Sequence, residues 1–149
     1  NTAIECDIYG HVNSTKICGT KMMNGLGGSA DFTNNAYLSI FTCGSTQKGG
    51  AISSIVPFAS HIDHTNHFID AVITEYGVAD LRRKSDMQKA KELIKVAHPD
   101  YRPMLNDYLR YAQKGGGHTL HNLAAAFGMH DTFLRTGDMR NINFSDYIK

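Results

Sequence analysis

The chain begins with alternating apolar and polar residues and carries apolar residues at helical spacing in its second half. Residues 2–9 alternate as a half-buried strand does, Gly10 follows as a turn residue, and residues 11–17 can return as a second strand. The pattern therefore predicts a hairpin over residues 2–17. We interpret this hairpin as scaffold that delivers the chain to the segment after it.

A glycine-rich segment then leads into the first predicted helix. Gly25, Gly27 and Gly28 fall within four positions, and Ser29 is a suitable N-cap for the helix that follows. The apolar residues at helical spacing are Phe32, Ala36, Tyr37, Ile40 and Phe41. A glycine loop before a helix gathers unpaired N–H groups that can hold a phosphate or a developing oxyanion, although the same pattern is also typical of a tight turn.

Two short apolar strands are predicted in the middle of the chain. Residues 51–56 form the first, after a loop with Lys48 at its tip, and residues 71–77 form the second, which ends at Glu75 and a glycine turn. Ligand groups collect at the carboxyl ends of strands in α/β sheets, so Glu75 is a candidate site residue. Lys48 could neutralise a phosphate near the glycines. The alternative for both side chains is simple solvation.

A histidine-rich segment lies between these two strands. Its candidate metal ligands are His61, Asp63, His64 and His67. The spacing HxDHxxH could wrap zinc or iron, but it matches neither HExxH nor an EF-hand loop. We therefore favour a polar loop whose imidazoles hydrogen-bond to the backbone and to neighbouring carboxylates.

The second half of the chain is predicted to be helical. The apolar spacing and the breakers predict helices over residues 85–97, 101–113 and 121–134. The tail, residues 137–149, is polar with a few apolar side chains that could dock on the domain. These are Ile142, Phe144, Tyr147 and Ile148.

Composition bounds the class of protein. With 149 residues, 42% of them hydrophobic, the chain can form one cored domain, and its net charge of +1 is too small and too scattered to require nucleic acid or a membrane surface. Cys6, Cys18 and Cys43 form no CxxC pair, which favours reduced thiols in a cytosolic or organelle-matrix setting. Because the first strand begins without an initiator Met or any lead-in, we expect a fragment of a longer chain, with residues 1–149 as a single domain.

Short motifs in a continuous order connect the residues considered so far. They stand at 1–5 (NTAIE), 12–15 (VNST), 19–25 (GTKMMNG), 27–32 (GGSADF), 48–50 (KGG), 55–57 (IVP), 61–65 (HIDHT), 72–75 (VITE), 79–82 (ADLR) and 97–103 (AHPDYRP). In this order they resemble the C-terminal domain of the acetyl-CoA hydrolase/transferase family, which includes acetate-, propionate- and 4-hydroxybutyrate-type CoA-transferases.

The resemblance implies an α/β domain of the CoA-transferase type, with a sheet, flanking helices and a helical C-terminal part. It also implies that coenzyme A is transferred between an acyl-CoA and a small carboxylic acid. In the family a glutamate attacks the thioester, and the enzyme then passes through glutamyl anhydride and glutamyl-CoA thioester intermediates. That glutamate belongs to an upstream N-terminal domain, which is therefore an expected partner. We also expect a homo-oligomer in the cytoplasm or, in a eukaryote, the mitochondrial matrix.

The resemblance assigns roles residue by residue. Gly28 would offer its N–H to the thioester oxyanion, and Glu75 falls on a family glutamate that stands close to the nucleophile. The expected contacts to coenzyme A are Ile4, Asn24, Gly28 and Lys48. Ala30 departs from the glycine more usual at that place in the family, so it adds a Cβ beside the loop.

Two other functions stay open from the sequence. A metal-dependent hydrolase would use His61, Asp63, His64 and His67, whereas the resemblance implies no metal. The other alternative is a non-catalytic regulatory or assembly domain that keeps the fold, or a non-catalytic domain that binds coenzyme A. Metal analysis and a coenzyme A binding assay would separate them.

Overall fold

Short strands dominate the first half of the structure and helices the second half. The structure, a computed structural model, describes residues 1–147. The strands are β1 (Glu5–Asp7), β2 (Val12–Asn13), β3 (Lys16–Ile17), β4 (Lys21–Met22), β5 (Ile40–Thr42), β6 (Thr46–Gln47), β7 (Ile52–Ser53), β8 (Ile55–Val56), β9 (Ala71–Thr74) and β10 (Gly77–Asp80). The α-helices are α1 (Ser29–Asn35), α2 (Asp86–Val96), α3 (Arg102–Lys114) and α4 (Gly128–Thr136). Single 3₁₀ turns lie at Lys48–Gly50, Pro99–Tyr101, Met139–Asn141 and Phe144–Tyr147.

Two small mixed sheets form the centre of the fold. One has the strand order β2-β1-β8 and the other β10-β9-β5. The pairs β1/β8 and β5/β9 are parallel, with Cys6 opposite Ile55 and Ile40 opposite Ala71. A parallel bridge between Thr2 and Thr42 joins the two sheets. The remaining strands form the antiparallel ribbons β3–β4 and β6–β7.

The predicted N-terminal hairpin is present in a shorter form. Strand β1 pairs antiparallel with β2 across the turn at Gly10, whose φ of +96° favours glycine. A Cβ at Gly10 would also lie 2.9 Å from a methyl carbon of Leu81. The end of the predicted second strand behaves differently, because Lys16 and Ile17 pair with β4 and not with β1.

The first helix is shorter than its apolar spacing predicts. The N-cap is Gly28 and not Ser29, and α1 ends at Asn35 because Ala36 adopts an extended conformation with ψ 144°. Ile40 and Phe41, predicted to continue the helix, belong to β5 and pair with β9. The hydrogen bonds gained in this parallel sheet outweigh the local helical pattern. As a result Phe32 is 70% exposed.

Strand β10 was not predicted. The chain turns back after Glu75 and Tyr76, and Gly77 begins a strand that pairs antiparallel with β9. The predicted strand over 51–56 is divided at Ser54, so that β7 pairs with β6 while β8 pairs with β1. The two halves of the predicted strand thus belong to different sheets.

Helices α2 and α3 confirm their predictions. Ser85 caps α2 in a capping box with Gln88, in which each side chain bonds to the backbone of the other residue. The prediction for 121–134 is wrong in its first half, because α4 begins only at Gly128. Residues before it form turns, in which the side chain and carbonyl of Asn122 accept the N–H of Ala125.

The helices contribute to the core mainly through α2 and α3. Helix α2 packs on β9 and β10, and α3 packs on α2. Tyr9, Tyr101 and Tyr108 are fully buried in the hydrophobic core. In the described part of the chain no helix has both the length and the apolar character needed to cross a bilayer.

The predicted docking of the tail is confirmed as far as the structure describes it. Phe144 is buried in the core, and Ile142 and Tyr147 are partly buried against it. Burying a side chain of this size stabilises a fold by about 1.5–3 kcal/mol. Ile148 lies outside the described residues.

Candidate functional site

The glycine loop, which we define as residues 22–28, is exposed along its whole length. The N–H groups of Gly25, Leu26, Gly27 and Gly28 donate to no acceptor within residues 1–147. Gly27 has a φ of +57°, a conformation that favours glycine, whereas Gly28 has an ordinary φ of −86°. Four consecutive free N–H groups before a helix are the donors that the anion-binding prediction needs.

The glycine loop is held at both ends by hydrogen bonds to the scaffold. At its start, the carbonyl of Thr15 accepts the N–H groups of Met23 at 2.8 Å and of Asn24 at 3.3 Å. At its end, the hydroxyl of Ser29 donates to the carbonyl of Leu26 at 2.9 Å or meets His64 Nε2 at 2.9 Å. The loop is therefore open to solvent but fixed in place.

The histidine-rich segment supplies anchors for this loop. The carboxylate of Asp63 accepts the N–H of Ser14 at 2.8 Å and the hydroxyl of Thr15 at 2.9 Å. Burial acts to raise the pKa of Asp63, but these hydrogen bonds bring it below its usual value. Asp63 also lies 3.2 Å from His61 Nε2. Its oxygens are thus engaged by the turn that carries the glycine loop.

The same segment does not converge as a metal site. Burial lowers the pKa of His64, which keeps it neutral and suited to its contact with Ser29. His67 is exposed to solvent. Among residues 1–147 there is no group of three or more histidine, cysteine, aspartate or glutamate side chains placed to hold a metal ion. The metal-dependent hydrolase is therefore not supported, and the polar-loop interpretation accounts for His61, Asp63 and His64.

Glu75 lies in the turn between β9 and β10, after the end of a strand that runs parallel to β5. Its carboxylate accepts the N–H of Ser45 at 2.8 Å and the hydroxyl of the same residue. The hydroxyl bond is the main reason why the pKa of Glu75 lies below its usual value. Glu75 is therefore an exposed carboxylate with a fixed orientation, ionised at neutral pH.

Lys48 begins the 3₁₀ turn after β6 and is exposed. Its φ of +51° is unusual for a residue with a side chain, and strained residues of this kind concentrate at functional sites. The ammonium lies 5.1 Å from the ring centroid of Phe133 on α4, a cation–π contact. One side of the ammonium is thus held by an aromatic ring.

The predicted site residues other than Ile4 fall into two groups. Asn24 and Gly28 share the glycine loop, whereas Glu75 accepts hydrogen bonds from Ser45, which precedes Lys48 by three residues. The N–H of Ile4, a half-buried residue, donates to the carbonyl of Asn13 at 2.8 Å, in the turn that holds the glycine loop. Within the described residues no hydrogen bond joins the two groups directly.

A buried pair that the sequence did not predict lies beneath this surface. His130 Nε2 is 2.8 Å from Glu5 Oε2, and both residues are at most 5% exposed. They are 125 positions apart, one on α4 and one on β1. No local spacing links such residues, and nothing in the sequence singles out Glu5 from the other polar residues of its alternating segment.

The cysteines take no part in either group as nucleophiles. Burial raises the pKa of Cys43 to about 12 and raises that of Cys6 well above its usual value. Burial also raises the pKa of the half-exposed Cys18. A protonated thiol is a poor nucleophile, so these side chains serve as small apolar residues.

Known proteins with similar sequences include CoA-transferases and acetyl-CoA hydrolases. The chain is 55% identical over 142 residues to a succinyl-CoA:acetate CoA-transferase of Clostridium kluyveri, covering 94% of this chain and 26% of that protein. It is 48% identical over 150 residues to an acetyl-CoA hydrolase of Candida glabrata, covering 94% of this chain and 28% of that protein. The chain therefore spans little more than a quarter of the length of these relatives.

A solved structure and a family model agree with these relatives. The crystal structure of a 4-hydroxybutyrate CoA-transferase from Porphyromonas gingivalis matches with a TM-score of 0.60 and 34% identity, over 74% of this chain and 25% of that one. The fold is thus the predicted α/β fold of the CoA-transferase type. The model of the acetyl-CoA hydrolase/transferase C-terminal domain matches residues 1–109. The chain belongs to the acetyl-CoA hydrolase/transferase family, as its C-terminal domain.

Proposed function

We propose that this chain is the oxyanion- and CoA-binding half of an enzyme that transfers coenzyme A between an acyl-CoA and a small carboxylic acid. The observation that carries the proposal is the run of four free N–H groups from Gly25 to Gly28 on an anchored loop. Fixed donors of this kind stabilise a negative charge that develops on a carbonyl oxygen. Membership of the family supports the thioester as the source of that carbonyl.

In the proposed reaction a glutamate from another part of the longer protein attacks the thioester carbonyl. The carbonyl oxygen becomes an oxyanion, to which Gly28 donates its N–H, and the intermediate collapses with release of the coenzyme A thiolate. The resulting glutamyl anhydride is then attacked by this thiolate, which frees the first carboxylic acid and leaves a glutamyl-CoA thioester. The acceptor acid reverses these steps. Because the glycine loop is already fixed, little free energy is needed to orient the four N–H groups during the reaction.

Glu75 acts in this proposal as a fixed negative group beside the nucleophile. Since Ser45 holds its pKa below the usual value, Glu75 is ionised at neutral pH and accepts hydrogen bonds but has no proton to donate. Its role is therefore to orient neighbouring donors and not to act as a general acid. Ile4 would line the path of coenzyme A.

Lys48 is expected to bind coenzyme A without taking part in the chemical step. In the longer enzyme, Lys48→Ala should raise KM for the acyl-CoA about tenfold, equivalent to about 1.4 kcal/mol, and should leave kcat within about twofold. The reason is that a phosphate contact far from the carbonyl is made equally in the ground and transition states. Steady-state kinetics with varied acyl-CoA measures both constants.

Lys91→Ala is the matched control for this experiment, because Lys91 is an exposed lysine on α2. It should leave both constants unchanged. An unchanged KM in Lys48→Ala would remove Lys48 from the coenzyme A site, and a loss confined to kcat would place it at the reacting carbonyl.

Treatment with a chelator is expected to leave the activity of the longer enzyme unchanged. His61 and His64 act through hydrogen bonds to Asp63 and Ser29, and these contacts need no metal. Activity should be measured before and after dialysis against the chelator, alongside elemental analysis of the protein. Stoichiometric zinc or iron that leaves together with the activity would contradict the proposed mechanism and restore the metal-dependent hydrolase.

A further inference from the structure

We propose that His130 is a positioning residue for the glycine loop, acting through a buried relay of hydrogen bonds that runs from His130 to Glu5, Asn13 and Thr15. The inference rests on the proposed function, because that function makes the loop part of the reaction site. His130 lies on α4, beyond the residues 1–109 that the family model matches. The C-terminal part of the chain would thus take part in shaping the site.

The relay begins at the buried pair of Glu5 and His130. Glu5 is 4% exposed, and a carboxylate at this depth is costly unless its oxygens are paired. One oxygen meets His130 Nε2 at 2.8 Å, and the other accepts the N–H and the hydroxyl of Ser60 and the side-chain amide of Asn13 at 3.0 Å. Both oxygens of the Glu5 carboxylate are therefore hydrogen-bonded to specific partners.

The occupied carboxylate fixes how His130 is bonded. Burial acts to raise the pKa of Glu5, but the hydrogen bonds from His130, Ser60 and Asn13 bring it below its usual value. Glu5 is therefore an acceptor, and His130 Nε2 must carry the donated hydrogen. The other ring nitrogen, Nδ1, is buried and has no hydrogen-bond partner within residues 1–147. In the described part of the chain the imidazole thus makes its hydrogen bond to Glu5 only.

Asn13 connects Glu5 to the turn over residues 13–16, which anchors the glycine loop. Its amide nitrogen donates both to Glu5 and to the carbonyl of Lys16, and its amide oxygen accepts the N–H groups of Thr15 at 3.2 Å and of Lys16 at 2.9 Å. These bonds define the turn over residues 13–16. A change in the direction of the Glu5 carboxylate would therefore move this turn.

Thr15 completes the relay at the glycine loop. Its carbonyl accepts the N–H groups of Met23 and Asn24, which begin the loop. Its hydroxyl is held separately by Asp63, so the turn keeps one anchor when the relay is broken. Loss of His130 should consequently displace the loop without unfolding the turn.

The pair is better explained by geometry than by stability. Buried polar pairs often add little net stability over apolar residues of similar size, but they can specify one arrangement of their surroundings. Here the partners of Glu5 come from β2, from α4 and from the segment after β8. The pair therefore fixes the relative placement of three elements around the turn that carries the loop.

The test compares variants of the longer enzyme by hydrogen–deuterium exchange and by kinetics. His130→Met removes the donor, and His130→Gln keeps an N–H within the same reach. We expect His130→Met to speed exchange in a peptide that contains Met23 and Asn24 by about tenfold, and to lower kcat on the order of tenfold. KM for the acyl-CoA should rise as well, because Asn24 is an expected coenzyme A contact. His130→Gln should restore the exchange rate and kcat to within about threefold of the wild type.

Thr132→Val is the matched control, because Thr132 is a buried residue of α4 with no bond in the relay. It should change neither the exchange nor kcat. Asn13→Leu, which breaks the relay one step nearer the loop, should reproduce the effect of His130→Met and covers the case in which His130→Met does not fold.

The two measurements separate this inference from the proposed function. Unchanged exchange at Met23 and Asn24 in folded His130→Met, or an equal effect of Thr132→Val, would overturn the relay. Faster exchange together with an unchanged kcat would support the relay and would count against the glycine loop as the reaction site.

Discussion

The isolated chain is expected to form no acyl-CoA from acetate and a donor acyl-CoA, whereas the longer enzyme that contains it should do so readily. The proposed reaction divides its groups between two parts of the protein. In that proposal this chain would supply the oxyanion donor and the coenzyme A contacts, and the nucleophilic glutamate would lie outside its residues. The chain spans 26% of the length of the Clostridium relative, which leaves ample room for that glutamate. Without the nucleophile no covalent intermediate can form.

The assay needs evidence that the isolated chain is folded. Its own core contains Tyr9, Tyr101 and Tyr108, so a cooperative thermal transition is expected. Adding the remaining part of the protein as a separate chain should restore at least part of the turnover. Steady turnover by the isolated folded chain would place a nucleophile within these residues, and Glu75 would then be the first to test.

The helices that the sequence predicted well are those whose signals are local. For α2, the cap Ser85 and its partner Gln88 are three positions apart, and the apolar stripe lies on the same helix. The boundaries of α3 differ from the prediction by a single residue at each end. A short segment carries all the information in such cases, because each contact joins residues within about one turn.

The first helix shows why other elements could not be predicted in this way. Phe32, Tyr37, Ile40 and Phe41 follow a helical spacing, yet the last two form a strand beside β9. The pairing depends on residues some thirty positions further along the chain, between Ile40 and Ala71. The spacing of apolar residues within one segment cannot indicate a pairing strand that lies so far away in sequence. Strand β10 is a different case, because its partner β9 is separated from it only by Glu75 and Tyr76. The sequence pattern predicts a strand that ends at the glycine turn, and the short return strand was therefore missed.

The same difference between local and long-range signals applies to the candidate site. The glycine loop, Lys48 and Glu75 could be proposed from local patterns and from the family resemblance, and they stay predictions. The contacts that hold them could not be foreseen, because Ser45 bonds to Glu75 and His130 to Glu5 across long stretches of sequence. The histidine-rich segment was interpretable as a polar loop, but its function as the anchor of Ser14, Thr15 and Ser29 required the structure.

Gly28→Val in the longer enzyme is expected to lower kcat on the order of a hundredfold, equivalent to about 3 kcal/mol, while the protein stays folded. The backbone angles and neighbours of Gly28 bear on which physical effect would cause the loss. Gly28 has a φ of −86°, which a residue with a side chain can adopt, so backbone strain is not the cause. An added Cβ would lie 3.3 Å from the ring of Phe32, and this ring can move because it is 70% exposed. The loss should therefore come from crowding of the thioester carbonyl at its oxyanion donor.

A matched glycine separates this effect from a general cost of valine. Gly115, at the end of α3, also has a negative φ of −76°, and a Cβ there would meet its neighbours at 3.6 Å or more. Gly115→Val should leave kcat unchanged, and both variants should melt within a few degrees of the wild type. Lys48→Ala supplies the opposite signature, because it should alter KM and not kcat. If folded Gly28→Val retained kcat within a few-fold of the wild type, the glycine loop would be a turn, and its free N–H groups would need another explanation.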